Sequence, residues 1–223
     1  MPKTLTPEEE FDAMLFHGRE RPVRGAPVSS PSIPPKTKLV KGKNQKSAHE
    51  EARDQAWSDL HMLRSRDSAK EDLAQIEKLH PKLKKAAEKF NVPMEILAGM
   101  ASRESRAGKH LNKKGYDEEK QAFGLLQIDE RYHKRAGKGP TDQAHIDQAA
   151  GILRDYRNIM DRKHADWSDG ERWRGAVAAY NMGPGNVKTR ENLDKGTTGN
   201  DYSKDVLHRA EIYGAHFAAK DEK

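Results

Sequence analysis

The chain has 223 residues, 34% of them charged and 6% aromatic, with a formal net charge of +6. A mean hydropathy of -1.04 and a pI near 9.3 make it too polar to be globular throughout and favour anionic partners: nucleic acid, a membrane surface or an acidic wall polymer. Cysteine is absent, which excludes disulfide stapling and thiolate metal sites, and no segment approaches the ~20 apolar residues of a membrane span.

Residues 6–17, TPEEEFDAMLFH, carry a helix signature. Thr6 can cap, Pro7 suits the first turn, Glu9 completes a capping-box spacing, and Phe11, Met14 and Leu15 share a face. The acidic start lacks the apolar run of a conventional signal peptide. Residues 18–46 are rich in Pro, Ser, Lys and Gly without periodicity, the composition of a basic tether. No aromatic side chain is interleaved there for base stacking, so an obligatory nucleic-acid partner is not expected. The division is therefore 1–46, a flexible basic extension with a short helix, and 47–223, a folded domain.

From residue 47 the pattern turns helical. SAHEEARDQAWSDLHMLRSR places Ala52, Ala56, Leu60 and Leu63 near one face, and SAKEDLAQIEKL and PKLKKAAEKF follow. NVPMEILAGMASRES predicts a helix capped by Asn91, with Pro93 in its first turn and a buried stripe of Ile96, Leu97, Met100 and Ala101. FGLLQI is short, β-prone and bounded by loops, which predicts a strand. HIDQAAGILRDYRNIMDRK is helical. SDGERWRGAVAAYN opens on a capping box, Ser168 and Glu171, and Gly183, Pro184 and Gly185 break it. The last helix puts Tyr202, Val206, Ala210, Tyr213 and Phe217 on one face. The fold class is mainly α (α+β), a helical domain with a small β element.

Glu104 follows Met100 by four residues and Ile96 by eight, so it projects from the apolar stripe at the helix's C-terminal end. An apolar setting and the negative end of the helix both favour a protonated carboxyl, as a general acid requires. Arg103 and Arg106 oppose this if they fold back on it, and a surface ion pair is the alternative reading. Asp117, in a charged loop, and Asp129, at the strand end, supply two further carboxylates, which suits hydrolysis with separate acid and base. The ten histidines are scattered; HEEAR at 49–53 lacks the second His of a zinc protease motif. No metal or cofactor is expected.

These segments together resemble goose-type lysozyme, a relative of the soluble lytic transglycosylases. SRESRAGKHL is similar to the family's catalytic-glutamate segment and FGLLQID to its FGLMQVD strand. AAYNMGPGNV matches its AYN-G-GNV segment, and GTTGNDYSKDVLHRA its C-terminal helix motif. The likeness runs in order from about Ser68 to Tyr213. It implies a lysozyme-like fold with the small sheet beside the substrate cleft. It also implies cleavage of the β-1,4 bond between N-acetylmuramic acid and N-acetylglucosamine in peptidoglycan. By position Glu104 becomes the general acid, and Asp117 and Asp129 flank the attacking water. Gln127, His133, Tyr180, Asn181 and Tyr202 fall where the family lines its sugar cleft.

Two aspartates favour an inverting hydrolase over a lytic transglycosylase, which closes a 1,6-anhydro ring with one acid/base glutamate. Retention of all three carboxylates argues against a non-catalytic peptidoglycan-binding module. Without a signal peptide, three routes to the bacterial wall stay open: delivery by a phage, export as an effector, or non-classical export. The N-terminal extension offers a docking element for a delivery or assembly partner.

Overall fold

From Ser65 onward, the buried positions of the first helix recur in alternating steps of four and three: Ser65, Ala69, Asp72, Ile76, Leu79, Leu83 and Ala86. That rhythm keeps one stripe facing inward. It runs through a single continuous helix, α1 (Ala48–Phe90), with Pro81 inside it. A mid-helix proline removes one backbone bond, and Ile76, Leu79 and Leu83 on either side supply the burial that holds the helix together. The three segments read from the sequence are thus one element. The structure, a computed structural model, describes residues 48–116 and 121–221; the predicted helix at 6–17, the tether and Asp117 lie outside them. Asp59–Lys223 forms one unit.

The face expected from Leu60 and Leu63 is not buried: the two residues are 40% and 54% exposed, because the inward stripe begins only at Ser65. Asn91 also departs from its reading. It adopts φ 51°, and Val92 N–H donates to the Ala87 carbonyl at 3.0 Å. Asn91 therefore closes α1 in the left-handed conformation. Pro93, not Asn91, caps α2 (Met94–Ser105).

The remaining elements are β1 (Ala122–Phe123), β2 (Ile128–Asp129), α3 (Gln143–Lys163), α4 (Asp169–Met182), 3-10 turns at Pro184–Asn186 and Thr198–Asn200, and α5 (Tyr202–Asp221). FGLLQI is not one strand. Phe123 pairs antiparallel with Ile128, and the residues between them turn. Gly124 takes φ 80°, and a Cβ there would fall into the His145 ring. Leu125 and Leu126 are both buried, which a strand with one solvated face cannot provide for two consecutive residues. The fold is mainly helical with a small two-stranded sheet.

α2 packs chiefly on α5, and α4 touches both α3 and α5. The α2–α5 approach is close enough that a Cβ at Gly99 would fall on the Val206 carbonyl oxygen. Met100, Leu97, Val206, Tyr202 and Tyr213 are fully or almost fully buried along this seam. The predicted stripes of α2 and α5 both face inward. The Ser168–Glu171 capping box opens α4, and Gly183 closes it at φ 83°. No helix among the described residues is long and apolar enough to cross a membrane.

Candidate active site

Glu104 is half-buried on the last turn of α2. Helix end and hairpin are held together beside it. Ser105 Oγ donates to the Leu125 carbonyl at 2.8 Å and accepts from Gly108 N–H at 2.9 Å. The chain then leaves the helix through two successive left-handed residues, Arg106 (φ 52°) and Ala107 (φ 54°). Non-glycine residues in that region store strain. Here Ala107 N–H donates to the Ala101 carbonyl and Arg106 N–H to that of Ser102, a Schellman closure that satisfies the terminal carbonyls.

The two arginines beside Glu104 are committed elsewhere. Arg103 donates to Asp205 at 2.8 Å and to Asp201 at 3.2 Å. Arg106 donates to Asp72 at 2.9 Å and to Glu71 at 2.7 Å. Asp72 is fully buried and also accepts from Ser102 and Lys109. Burial pushes its carboxyl up, but the bonds from Arg106, Ser102 and Lys109 outweigh that and hold it below its ordinary value. Arg209 links the two halves of this network, donating to Asp205 at 3.0 Å and to Ser102 at 2.9 Å. His61 meets Asp201 at 2.8 Å.

Glu104 receives the hydroxyl of Tyr202, which donates to Oε1 in a short hydrogen bond. Tyr202 is 1% exposed. Burial, then the Glu104 charge and the bond to it, pushes its phenol well above the ordinary value. Burial and then the Glu104 charge do the same to Tyr180, so Glu104 lies within electrostatic reach of two tyrosines from different helices. Tyr180 donates to the Leu126 carbonyl at 2.9 Å, tying α4 to the hairpin.

The hairpin is also held from behind. Leu126 N–H donates to Nε2 of His145 at 3.1 Å. His145 is fully buried, and burial drives its imidazole down to about 4, against the opposing pull of Asp142. It is therefore neutral near pH 7, as an acceptor nitrogen must be. Nothing in the sequence marked this histidine, because its partner is a backbone amide 19 residues away.

Gln127 ends the turn at φ 45°, and its amide donates to the Gly124 carbonyl at 2.8 Å. Asp129, on β2, is gripped by Arg131: Nε lies 2.9 Å from both carboxylate oxygens, and the Arg131 backbone N–H donates to Oδ1 at 2.8 Å. His133 N–H donates to the Asp129 carbonyl at 3.0 Å. Its imidazole is pushed down by burial, partly offset by the Asp129 charge. Asn181 exchanges hydrogen bonds with Thr198, accepting from its N–H at 2.9 Å, and so fastens the turn that leads into Tyr202. Glu104, Tyr180 and Tyr202 converge; Gln127, Asp129 and His133 belong to the hairpin and its exit, and Asn181 to the rim of α4. Arg103, Asp72, Asp201, Asp205 and Arg209 form a supporting network that the sequence did not reveal, since Asp72, Arg103 and the Asp201–Arg209 segment lie far apart along the chain.

The family model described as Lysozyme g matches residues 42–216, so the likeness reaches 26 residues further toward the N-terminus than the motifs from Ser68. A lysozyme g of Gallus gallus is 40% identical over 152 residues, 68% of this chain and 71% of that protein. One of Casuarius casuarius is 39% identical over 152 residues, 68% of this chain and 81% of that protein. One of Cyprinus carpio is 38% identical over 145 residues, 65% and 77%.

Proposed function

The chain belongs to the goose-type lysozyme family and is a glycoside hydrolase of bacterial peptidoglycan, and on that premise we propose that Glu104 is the general acid of an inverting muramidase. The bond cleaved is the β-1,4 link between N-acetylmuramic acid and N-acetylglucosamine. The observation that carries the assignment is the setting of Glu104: a half-buried carboxyl on a helix end, bonded by Tyr202, while the adjacent Arg103 and Arg106 serve other carboxylates. Glu104 protonates the leaving oxygen. Asp129 and Asp117 position the water that attacks from the opposite face. Gln127, His133, Tyr180, Asn181 and Tyr202 line the sugar cleft. The catalytic unit is 47–223, and residues 1–46 carry none of the chemistry.

One observation favours a second reading. Both oxygens of Asp129 are occupied by Arg131, and a carboxylate held this way is a weaker base for water. A lytic transglycosylase needs only the glutamate. Mass spectrometry of products from purified peptidoglycan separates the two: reducing muramic ends support the hydrolase, and 1,6-anhydro ends overturn it. Glu104→Gln keeps the shape but cannot deliver a proton, so turnover should fall by at least ~10²–10⁴-fold with thermal unfolding unchanged. Activity above a tenth of wild type would remove Glu104 from the acid role.

A further inference from the structure

A cavity of about 460 Å³ has neither Glu104 nor any hairpin residue in its lining. Its volume is that of a small-ligand pocket. Asn91, Val92 and Pro93 form one wall, from the turn between α1 and α2. Arg154 and Arg157 of α3, and Asp169 and Trp173 of α4, form the rest.

The charges in this pocket are unevenly matched. Arg157 is spent, donating to Asp161 at 2.9 Å and to Asp169 at 2.6 Å. Arg154 uses only Nε, which donates to the Phe90 carbonyl at 2.9 Å. Among the described residues no carboxylate pairs with it, and its guanidinium carbon stands 5.2 Å from the centre of the Trp173 ring. Trp173 also stacks against Arg157, at 4.7 Å, so the two guanidiniums are held by one aromatic side chain. The first turn of α2, immediately after Pro93, has no side-chain cap, and its amides add partial positive charge. Against this, Asp169 offers one carboxylate, 72% exposed, with only Oδ1 engaged by Arg157.

We propose that this pocket binds a short peptide carrying a free carboxylate, namely the peptide arm of the same peptidoglycan whose glycan is cut at Glu104. The idea rests on the peptidoglycan reading. The two outer nitrogens of Arg154 match a carboxylate in a fork geometry. One unmatched positive charge suits a monoanion better than a phosphate dianion. Asp169 Oδ2 is available to an ammonium group on the same peptide, and Val92, Pro93 and Trp173 supply an apolar wall for its short side chains.

The test is a titration of the full chain with the free stem peptide L-Ala-γ-D-Glu-L-Lys-D-Ala, followed by NMR at the Trp173 indole N–H and the amides of Val92 and Met94. A saturable shift is expected. Arg154→Gln should weaken it roughly tenfold or more, and Arg154→Lys should fall between. Hydrolysis of soluble, peptide-free glycan oligomers should be the same in all three proteins. The same peptide with every carboxylate amidated should not bind the wild-type protein, and that arm decides the matter even where Arg154→Gln fails to fold. No saturable shift, equal affinity in a folded Arg154→Gln, or equal binding of the amidated peptide overturns the proposal. Inorganic phosphate binding as tightly as the peptide overturns it too, leaving a general anion site. Because the titration involves no turnover, it stands apart from the product analysis that tests the muramidase.

Discussion

Glu104 and Asp129 are both carboxylates with an arginine close by in sequence, yet the two arginine contacts turn out differently. Arg103 and Arg106 flank Glu104 but pair with Asp201, Asp205, Glu71 and Asp72. Arg131, two residues after Asp129, folds directly back onto it. The difference is geometric. On a helix, side chains one and two residues apart point to different faces, and the faces beside Glu104 meet buried acids on α1 and α5. After β2 the chain turns in an exposed loop, where the nearest charge in sequence is also the nearest in space. Adjacent opposite charges therefore predict pairing in a loop and not on a buried helix.

The largest effect is expected on the Glu104 side. Asp72→Ala strands Arg106, Lys109 and Arg209 around a buried gap, and removing one partner of such a network costs about 3–5 kcal/mol. Denaturant unfolding should show that loss, and peptidoglycan hydrolysis should fall as well, because Arg106 is released next to Glu104. A variant that keeps its stability would show that the network does not hold the arginines away.

Proton uptake should separate the two regions next. His145, behind the hairpin, has a folded value of about 4 against 6.5 for the free side chain. Below pH 6.5 the unfolded chain gains a proton that the folded chain refuses, so stability falls as pH drops from 6.5 to about 4, by about 3 kcal/mol in all. Asp72 also loses its contribution on acidification, but in a lower pH window. Its carboxyl lies below 3.8, so its contribution is intact above that value and is lost only as pH falls further. Melting curves across pH 3–7 should show the upper step vanish in His145→Gln, whose amide still offers an acceptor. A step that persists would assign it to another group.

A smaller effect should follow Tyr202→Phe, which removes the hydroxyl bonded to Glu104. A side-chain hydrogen bond contributes about 1 kcal/mol, and hydrolysis should fall less than in Glu104→Gln. Loss as complete as for Glu104→Gln would make Tyr202 a participant in proton transfer. The smallest effect is expected on the other side. Arg131→Ala breaks an exposed pair, changing stability by less than about 1 kcal/mol. Hydrolysis should be maintained or raised, since Asp129 is released toward water. A collapse of activity would mean that Arg131, not Asp129, carries the function of this strand end.

The sequence alone determined what depends on neighbours along the chain. The stripe of α2 that carries Glu104, the inward face of α5, the Ser168–Glu171 cap and the stop at Gly183 all follow from periodicity and local backbone preference, and four motifs in order pointed to the family. Local preference failed where a distant partner outweighed it. FGLLQI had the composition of a strand but turns at Gly124, because His145 lies against that glycine and Leu125 and Leu126 are both buried. Asn91 had the composition of an N-cap but closes α1 instead. Leu60 and Leu63 had helical spacing but no described residue buries them. Only the tertiary structure decided which acids would hold Arg103 and Arg106, because Asp72 and Asp205 come from helices on either side of α2 in the sequence and meet it only when the core is packed. The place of Glu104 on the apolar stripe was legible in one segment of chain; the network that draws Arg103 and Arg106 onto other acids exists only after α1, α2 and α5 have come together.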